Sequence, residues 1–164
     1  MDTKWFLVTV GFLLVSQVTL CLGAAEDSRP IAKRSTGGSC PRGWDQLDNS
    51  CYFFSWHERK WEDARNHCGA RNAHLVVINS QKEQDFLERK AESRRQWIGL
   101  RRDGGSWRWV NGSPTSFTYW GGGEPNNLVH FLIYPENCVE MRRDGRWNDE
   151  ICHTPLRWIC EKSA

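Results

Sequence analysis

The sequence predicts an α+β domain with two helices, small antiparallel sheets, a long irregular loop and several disulfide bonds. Three observations lead to this prediction. Six cysteines follow the N-terminal region, two segments carry apolar residues at helical spacing behind a capping residue, and the second half contains only short apolar runs. The stretch between Val110 and Cys138 has almost no regular pattern, which makes it the long loop.

Residues 1–25 have the pattern of a secretory signal peptide. Lys4 provides a positive charge, the run from Trp5 to Leu22 is largely apolar, and the small residues Gly23, Ala24 and Ala25 suit cleavage. A membrane anchor is the alternative, but the run is marginal for a span of about 20 solidly apolar residues. We therefore expect a secreted, extracellular protein without a membrane span.

Residues 26–39 have the composition of a linker or propeptide, with several charges, Pro30 and two glycines but no periodicity. Lys33 and Arg34 form either a dibasic processing site or a solvated pair of charges. Residues 40–164 then make up one domain, long enough for a single hydrophobic core. The chain's 10 tryptophans supply much of the apolar area that such a core needs.

Cysteine content and charge restrict the class of protein. One of the seven cysteines, Cys21, lies in the signal, and six remain: Cys40, Cys51, Cys68, Cys138, Cys152 and Cys160. An even number of cysteines in a short exported chain predicts disulfides, and no pair has the CxxC spacing of structural zinc. Spacing alone does not choose among the pairings. A formal net charge of +2 argues against a nucleic-acid partner.

A hairpin and a helix open the domain. Residues 44–54 contain two short strand-like runs around a polar turn and predict the hairpin. Ser55 with Glu58 predicts a capping box that begins the first helix, and Gly69 predicts its end. Trp61 lies on the face of this helix that we expect to be buried.

A strand and a second helix follow. Residues 75–78 are a short, fully apolar run that predicts a buried strand. Ser80 with Glu83 predicts another capping box, and the helix behind it carries Phe86 and Leu87 inward. The second half holds short apolar segments at residues 97–100, 107–110, 138–141, 146–147 and 157–160. The first half is therefore interpreted as scaffold, and the second half carries the loop expected to hold a ligand.

Hard oxygen ligands are concentrated in this loop and just after it, on Glu124, Asn126, Glu136, Asn148 and Asp149. Ca²⁺ takes about 6–8 oxygens in a flexible shell. Five side chains and a backbone carbonyl would fill most of that shell and leave positions for the hydroxyls of a ligand. The alternative is a solvated polar loop that holds no ion.

Two neighbouring hydroxyls of a sugar suit the open positions. Each hydroxyl keeps a proton to donate and a lone pair to accept, and a carboxylate beside an amide matches both. Glu124 with Asn126, and Glu136 with Asn148, would form two such pairs. Pro125 allows a cis peptide bond between the first two.

In order and spacing, these features resemble the C-type lectin-like domain family from Cys40 to Glu161. The resemblance rests on the cysteine frame, Trp97-Ile98-Gly99-Leu100, Glu124-Pro125-Asn126, Glu136 ahead of Cys138, and Trp147-Asn148-Asp149. It implies the C-type lectin-like fold with a long Ca²⁺-binding loop. It also implies three disulfides: Cys40–Cys51, Cys68–Cys160 and Cys138–Cys152.

The resemblance further implies that the five oxygen-bearing residues are both the metal site and the carbohydrate site of a Ca²⁺-dependent lectin. Its Glu-Pro-Asn motif is similar to the mannose-type version, which prefers mannose, fucose and N-acetylglucosamine, whereas the galactose-type version carries Gln-Pro-Asp. Glycans of cell surfaces or glycoproteins are the implied partners, in innate defence or as a toxin-like agglutinin.

Two departures from the family pattern stand out. Asn127 and Asn137 occupy positions where some members carry acids for a second Ca²⁺, and the earlier ligands would fall at residues 101–105, so we expect one ion. The stretch Asn127 to Pro135 is longer than in compact relatives and rich in apolar residues. Those residues either contact a sugar, a partner or a second copy, or fold back onto the core.

The main alternative function is a non-sugar interaction module, binding protein or mineral on the same fold. An enzyme is not expected, because the carboxylates alternate with amides and no nucleophile pattern is present. The chain has no heptad run or collagen-like repeat, so a homo-oligomer would form through surface contacts.

A dense group of basic residues has two interpretations, a site for sulfated glycans or anionic surfaces and a solvated face, of which we favour the second. Its members are Arg89, Lys90, Arg94, Arg95, Arg101, Arg102 and Arg108.

Overall fold

The computed structural model describes residues 38–130 and 134–164. The predicted signal peptide and almost all of the predicted linker, including the dibasic pair, lie outside the described residues. No helix within the described ranges is long and apolar enough to cross a membrane.

The described chain contains two helices and nine strands. In order they are β1 (Asp45–Leu47), β2 (Ser50–Phe54), α1 (Trp61–Gly69), β3 (His74–Leu75), α2 (Gln81–Lys90), β4 (Gln96–Asp103), β5 (Ser106–Trp109), β6 (Val129–His130), β7 (Tyr134–Met141), β8 (Trp147–Ile151) and β9 (Arg157–Ser163). The predicted α+β class is confirmed, with helices confined to the first half and the long irregular segment between β5 and β6.

The strands join into a single sheet with the order β1-β2-β9-β4-β7-β6. Three further strands attach to this path: β3 pairs with β9, β5 with β4 and β8 with β7. Neighbours are antiparallel except for β4 and β9, which run parallel through Gln96–Arg157 and Trp97–Trp158. This parallel contact joins the strands β1, β2, β3 and β9 to the strands that flank the long loop.

The first helix begins later than the sequence predicts. Ser55 does not cap it, because its hydroxyl donates to the His57 carbonyl (2.9 Å) and accepts from the Trp158 amide (2.9 Å). Residues 55–59 instead run alongside the chain at the start of β9, where Arg59 forms an isolated β-bridge with Leu156. The predicted end at Gly69 is confirmed.

The predicted strand at residues 75–78 is regular only as far as Leu75, and Val76 to Ile78 continue as buried, irregular backbone. The Gly99 amide donates to the Val76 carbonyl (2.8 Å), and a Cβ on Gly99 would lie 2.6 Å from the Leu75 carbonyl oxygen. Only glycine allows the two segments to approach this closely.

The predicted Ser80 cap is confirmed, since the Ser80 hydroxyl accepts from the Glu83 amide and begins α2. The Glu83 carboxylate does not complete the capping box, because it accepts from the Asn79 amide (2.9 Å) and the Tyr52 hydroxyl (2.8 Å). Phe86 and Leu87 are buried in the main core cluster, as the helical spacing predicts.

Three disulfides hold the two halves of the fold, and the pairings implied by the family resemblance are confirmed: Cys40–Cys51, Cys68–Cys160 and Cys138–Cys152. The first closes the N-terminal hairpin, and the second ties α1 to β9. The third joins β7 to the chain just after β8, directly beside the predicted ligand residues.

Candidate functional site

The long loop is held in place by its backbone contacts with Trp147, the first residue of β8. The Trp147 amide donates to the Tyr119 carbonyl (2.8 Å), and the Gly121 amide donates to the Trp147 carbonyl (2.8 Å). Trp120 and Trp147 thereby form an isolated parallel bridge. The loop therefore runs beside β8 as it approaches the predicted ligand residues.

The Trp147 side chain supports this backbone contact from the side of the hydrophobic core. Its ring is fully buried and meets Trp109, Phe117 and Trp120 edge-on, with centroids 5.6–5.9 Å away. Its indole N–H donates to the Gln84 side chain of α2 at 2.8 Å. Helix α2 thus supports the floor of the loop, a role for Gln84 that no pattern in the sequence indicates.

A tight turn then presents Glu124. The Glu124 amide donates to the Gly121 carbonyl (3.1 Å), and Gly123 has a φ of 84°. A positive φ at the third turn position favours glycine, which explains why glycine precedes the Glu-Pro-Asn motif. The Glu124–Pro125 peptide bond is cis, the conformation that the sequence allows.

The next residues are attached to β8 and β7 by carboxylates. Asp149, at 0% exposure, accepts from the Asn126 amide (3.1 Å) and the Asn127 amide (2.7 Å). Glu136, at 6% exposure, accepts from the Leu128 amide at 3.1 Å. These bonds satisfy backbone donors of an irregular segment, so the same carboxylates position the loop and face the site.

The two ends of the Glu-Pro-Asn motif are already paired. The Asn126 amide nitrogen donates to Glu124 Oε2 at 2.6 Å, and Asn126 Oδ1 accepts from the Leu128 amide at 2.9 Å. The side chains of the first predicted carboxylate–amide pair therefore lie next to each other and are bonded to each other.

Negative charge accumulates at this point. Burial, then the Asp149 carboxylate and also the charge of Glu136, raise the pKa of the Glu124 carboxyl above its ordinary value, although the Asn126 backbone opposes the shift. Neither Glu124 nor Asp149 forms an ion pair with a basic side chain in the described parts of the chain. A cation would relieve this repulsion.

Asn148 is oriented differently from the other four predicted residues. Its amide nitrogen donates to Glu140 Oε1 (3.2 Å) and to the Asp149 carbonyl (2.6 Å). Glu140 is buried and is held by the guanidinium of Arg95 through bonds of 2.6 Å to each carboxylate oxygen. Hydrogen bonds around the Asn126–Leu128 backbone bring Glu124, Asn126, Glu136 and Asp149 together, while Asn148 lies on the Glu140 side.

The donor set of this site fits Ca²⁺. It offers carboxylate and amide oxygens, the ligands that a hard cation prefers. Asn127 adds a side-chain oxygen that is buried and has no hydrogen-bond partner among the residues that the structure describes. Within the described ranges, no three His, Cys, Asp or Glu side chains form a metal cluster by themselves, so a cation here would need the amides as well as the acids.

Comparison with known proteins decides the family. The model of the Lectin C-type domain matches residues 57–162.

The chain belongs to the C-type lectin domain family. Asialoglycoprotein receptor 1 of Mus musculus is 43% identical over 125 residues, which cover 74% of this chain and 44% of the receptor. The curated relatives are longer, and the match spans less than half of their length.

Solved structures of C-type lectin domains share the fold. The cow CD23 carbohydrate-recognition domain, crystallised in the presence of a GlcNAc2Man3 oligosaccharide, is 38% identical with a TM-score of 0.72, covering 77% of this chain and 97% of that domain. A calcium-independent type II antifreeze protein is 27% identical with a TM-score of 0.69, covering 77% and 95%. Domains of this family are non-enzymatic and typically bind Ca²⁺, which confirms the prediction that this C-type lectin domain is not an enzyme.

The described parts of the apolar stretch from Asn127 to Pro135 pair with each other at the edge of the site. Val129 and His130 of β6 pair with Pro135 and Tyr134 of β7. Leu128 is 54% exposed and Tyr134 is 42% exposed, so these two do not fold back onto the core. Phe131, Leu132 and Ile133 lie outside the described residues.

Proposed function

We propose that this domain is a secreted lectin that binds mannose-type sugars through one Ca²⁺ ion, with Glu124, Asn126, Glu136, Asn148 and Asp149 as the metal and sugar ligands. The observation that carries the proposal is the preformed contact of Glu124 with Asn126, on a loop that Asp149 holds against β8. The oligosaccharide named for the cow CD23 domain supports a ligand of this class.

Bound Ca²⁺ would supply coordination positions for two neighbouring hydroxyls. The chain itself supplies the hydrogen-bonding direction, because Glu124 can only accept when ionised and the Asn126 amide nitrogen can only donate. A pair in this order suits the equatorial neighbouring hydroxyls of mannose, fucose and N-acetylglucosamine, as the resemblance to the mannose-type motif implies.

The second pair, Glu136 with Asn148, is less prepared than the first. Both described bonds of the Asn148 amide nitrogen go to protein oxygens, Glu140 Oε1 and the Asp149 carbonyl. Asn148 therefore offers its carbonyl oxygen to an ion more readily than an N–H to a sugar. We infer that hydrogen-bonding selectivity comes mainly from Glu124 and Asn126.

Retention on mannose-agarose in Ca²⁺, with elution by EDTA, is the decisive test. The double change Glu124→Gln with Asn126→Asp should shift preference toward galactose, because the order of donor and acceptor is then reversed. Glu58→Gln, a charge change on an exposed residue outside the loop, is the matched control. Retention that ignores EDTA, or a sugar profile unchanged by the double variant, would refute the mechanism.

A non-sugar interaction module is the second candidate. The similarity to a calcium-independent antifreeze protein favours it, as do the exposed side chains of Leu128 and Tyr134. Its signature would be partner binding that persists in EDTA and is lost on Leu128→Ser or Tyr134→Ser. Gel filtration of the same variants tests whether this edge forms a homo-oligomer.

Secretion is tested at the N-terminus. Material exported from expressing cells should begin at Glu26, or at Ser35 if the dibasic pair is processed. Protein that keeps its apolar leader in the membrane fraction would count against a signal peptide.

A further inference from the structure

Two open cavities meet on the side of the domain where Asn148 lies. The inner cavity, about 460 Å³, is lined by Asn148, by the carboxylates Glu140 and Asp144 and by three arginines. The outer cavity, about 510 Å³, lies between the α2–β4 turn and the start of β9. Arg95 and Arg143 line both, so the two cavities adjoin and are treated as one surface region. We call it the basic groove and define it by Arg94, Arg95, Arg142, Arg143 and Arg157.

One of these arginines is fully committed to the protein. Arg95 donates to both oxygens of Glu140 and, at 2.5 Å, to Glu150. The buried Glu140 carboxylate requires such a partner, since an uncompensated buried charge is strongly destabilising. Arg95 is therefore a structural part of the groove, and its guanidinium group is not available to a ligand.

The other arginines keep their guanidinium groups available. In residues 38–130 and 134–164, Arg94, Arg143 and Arg157 form no ion pair with a carboxylate, and Arg142 reaches Asp144 only at 3.7 Å. Glu58 and Glu92 also line the outer cavity, but neither is within salt-bridge distance of these arginines. The groove is therefore suited to bind an anion by direct hydrogen bonds from planar guanidinium groups. A strong long-range electrostatic field is not its main feature.

The groove shares only Arg94 and Arg95 with the basic cluster named from the sequence. In the structure, Lys90 pairs with Asp45 and Arg101 pairs with Glu62, so part of that cluster is neutralised. Arg143 and Arg157 come instead from the β7–β8 turn and the start of β9. Three separate segments thus bring unpaired guanidinium groups together.

An aromatic ring adds a second type of contact next to Arg157, in an adjoining cavity that both residues line. Trp56 is 71% exposed, and the Arg157 guanidinium lies 5.5 Å from its ring centroid. An exposed indole offers a flat apolar face that suits the C–H face of a pyranose ring, while the adjacent arginine takes a charge. Guanidinium forks with an exposed indole match an acidic saccharide better than a free inorganic anion.

We propose that the basic groove binds an anionic substituent, a sulfate ester or a carboxylate, on a saccharide unit linked to the sugar held at the Ca²⁺ site. Asn148 is the connection, because it lines the inner cavity and is also a predicted Ca²⁺ ligand. This inference rests on the proposed function and extends it from one monosaccharide to an acidic oligosaccharide.

The test compares matched glycans on the full chain. A neutral mannose-terminated oligosaccharide and its sulfated and sialylated counterparts are titrated in Ca²⁺ by calorimetry. One or two charge-assisted hydrogen bonds predict a roughly tenfold tighter binding of the anionic form. The sulfated and sialylated arms distinguish which anion is used.

Arg143→Gln and Arg157→Gln should each weaken binding of the anionic glycan by about threefold to tenfold. Neither change should alter the affinity for the neutral glycan. Arg108→Gln makes the same charge change on the exposed face of β5, away from the groove, and should leave the preference intact. The preference should also weaken with salt more steeply in the parent than in Arg143→Gln.

The proposed role of the groove would be refuted by equal affinities for neutral and anionic glycans, or by equal losses of affinity in Arg143→Gln and Arg108→Gln. Either result would leave Ca²⁺-dependent binding of the neutral glycan unaffected. Failure of the proposed function has a different result, namely no Ca²⁺-dependent binding of the neutral glycan. In that case the groove is tested with dextran sulfate in EDTA, where retention lost in Arg143→Gln but not in Arg108→Gln supports it, and retention unaffected by Arg143→Gln overturns it.

Discussion

Replacing Glu124 by Gln should change stability in opposite directions with and without Ca²⁺. The substitution keeps the shape of the side chain and an oxygen that can accept from Asn126. It removes one of three negative charges that meet where the loop contacts β8, the other two being those of Asp149 and Glu136. Without an ion, losing that charge relieves repulsion; with an ion, it removes a ligand.

The size of the calcium-free effect follows from the environment of Glu124. Two like charges about 4 Å apart repel by about 4 kcal/mol at an effective dielectric constant near 20. Glu124 is only partly buried, and solvent screening reduces such terms at the surface to about 0.5–1 kcal/mol. The Gln variant should therefore gain about 0.5–1 kcal/mol of unfolding free energy in EDTA.

The calcium-bound effect follows from linkage. Extracellular modules bind Ca²⁺ with dissociation constants of about 0.1–1 mM. At 10 mM Ca²⁺ the parent would then be stabilised by about 1.4–2.7 kcal/mol, and Glu124→Gln should lose most of that gain. The parent becomes the more stable protein only when Ca²⁺ is present.

Urea unfolding followed by tryptophan fluorescence, in 10 mM CaCl₂ and in EDTA, measures both signs. Glu58→Gln should shift neither difference beyond about 0.5 kcal/mol, because it is an exposed residue outside the loop. A Gln variant that is destabilised equally in both buffers would refute the reasoning, since Glu124 would then act by packing rather than by charge.

Three further predictions concern the support of the site. Trp147→Phe removes the indole donor to Gln84 and part of a buried ring, so the unfolding free energy measured in urea should fall by about 2–4 kcal/mol. A loss below about 1 kcal/mol would show that the ring does not anchor the loop. Burial raises the pKa of Glu83 above its ordinary value near 4.5, so the stability that its proton confers is present at low pH and is lost as pH rises through the raised pKa. In EDTA, the unfolding free energy of Glu83→Gln minus that of the parent should therefore be larger at pH 7 than at pH 4. An equal difference at the two pH values would contradict this sign. Replacing Cys138 and Cys152 by Ala opens a loop of sequence separation 14 beside the site and should cost about 3 kcal/mol by calorimetry; an unchanged melting temperature would exclude that role.

Local patterns in the sequence were sufficient for the parts of the fold that local chemistry controls. The Ser80 hydroxyl caps α2 as predicted, because a hydroxyl and an amide three residues apart need no other partner. The Ser55–Glu58 pair has the same spacing and fails, because Trp158, 103 residues later in the chain, occupies the Ser55 hydroxyl. Spacing gives the possibility of a cap, and the competing partner is visible only in the folded chain.

The candidate site divides in the same way. The sequence by itself determined which residues carry hard oxygens, that they lie in a long loop, and, through the family resemblance, how the cysteines pair. Only the tertiary structure decided that Glu124 and Asn126 contact each other, that Asn148 turns toward Glu140, and that Arg94, Arg143 and Arg157 meet in one groove. The physical reason is that ligand type is a property of a single residue. Orientation and charge balance depend instead on partners from distant segments, and residue types alone do not specify those partners.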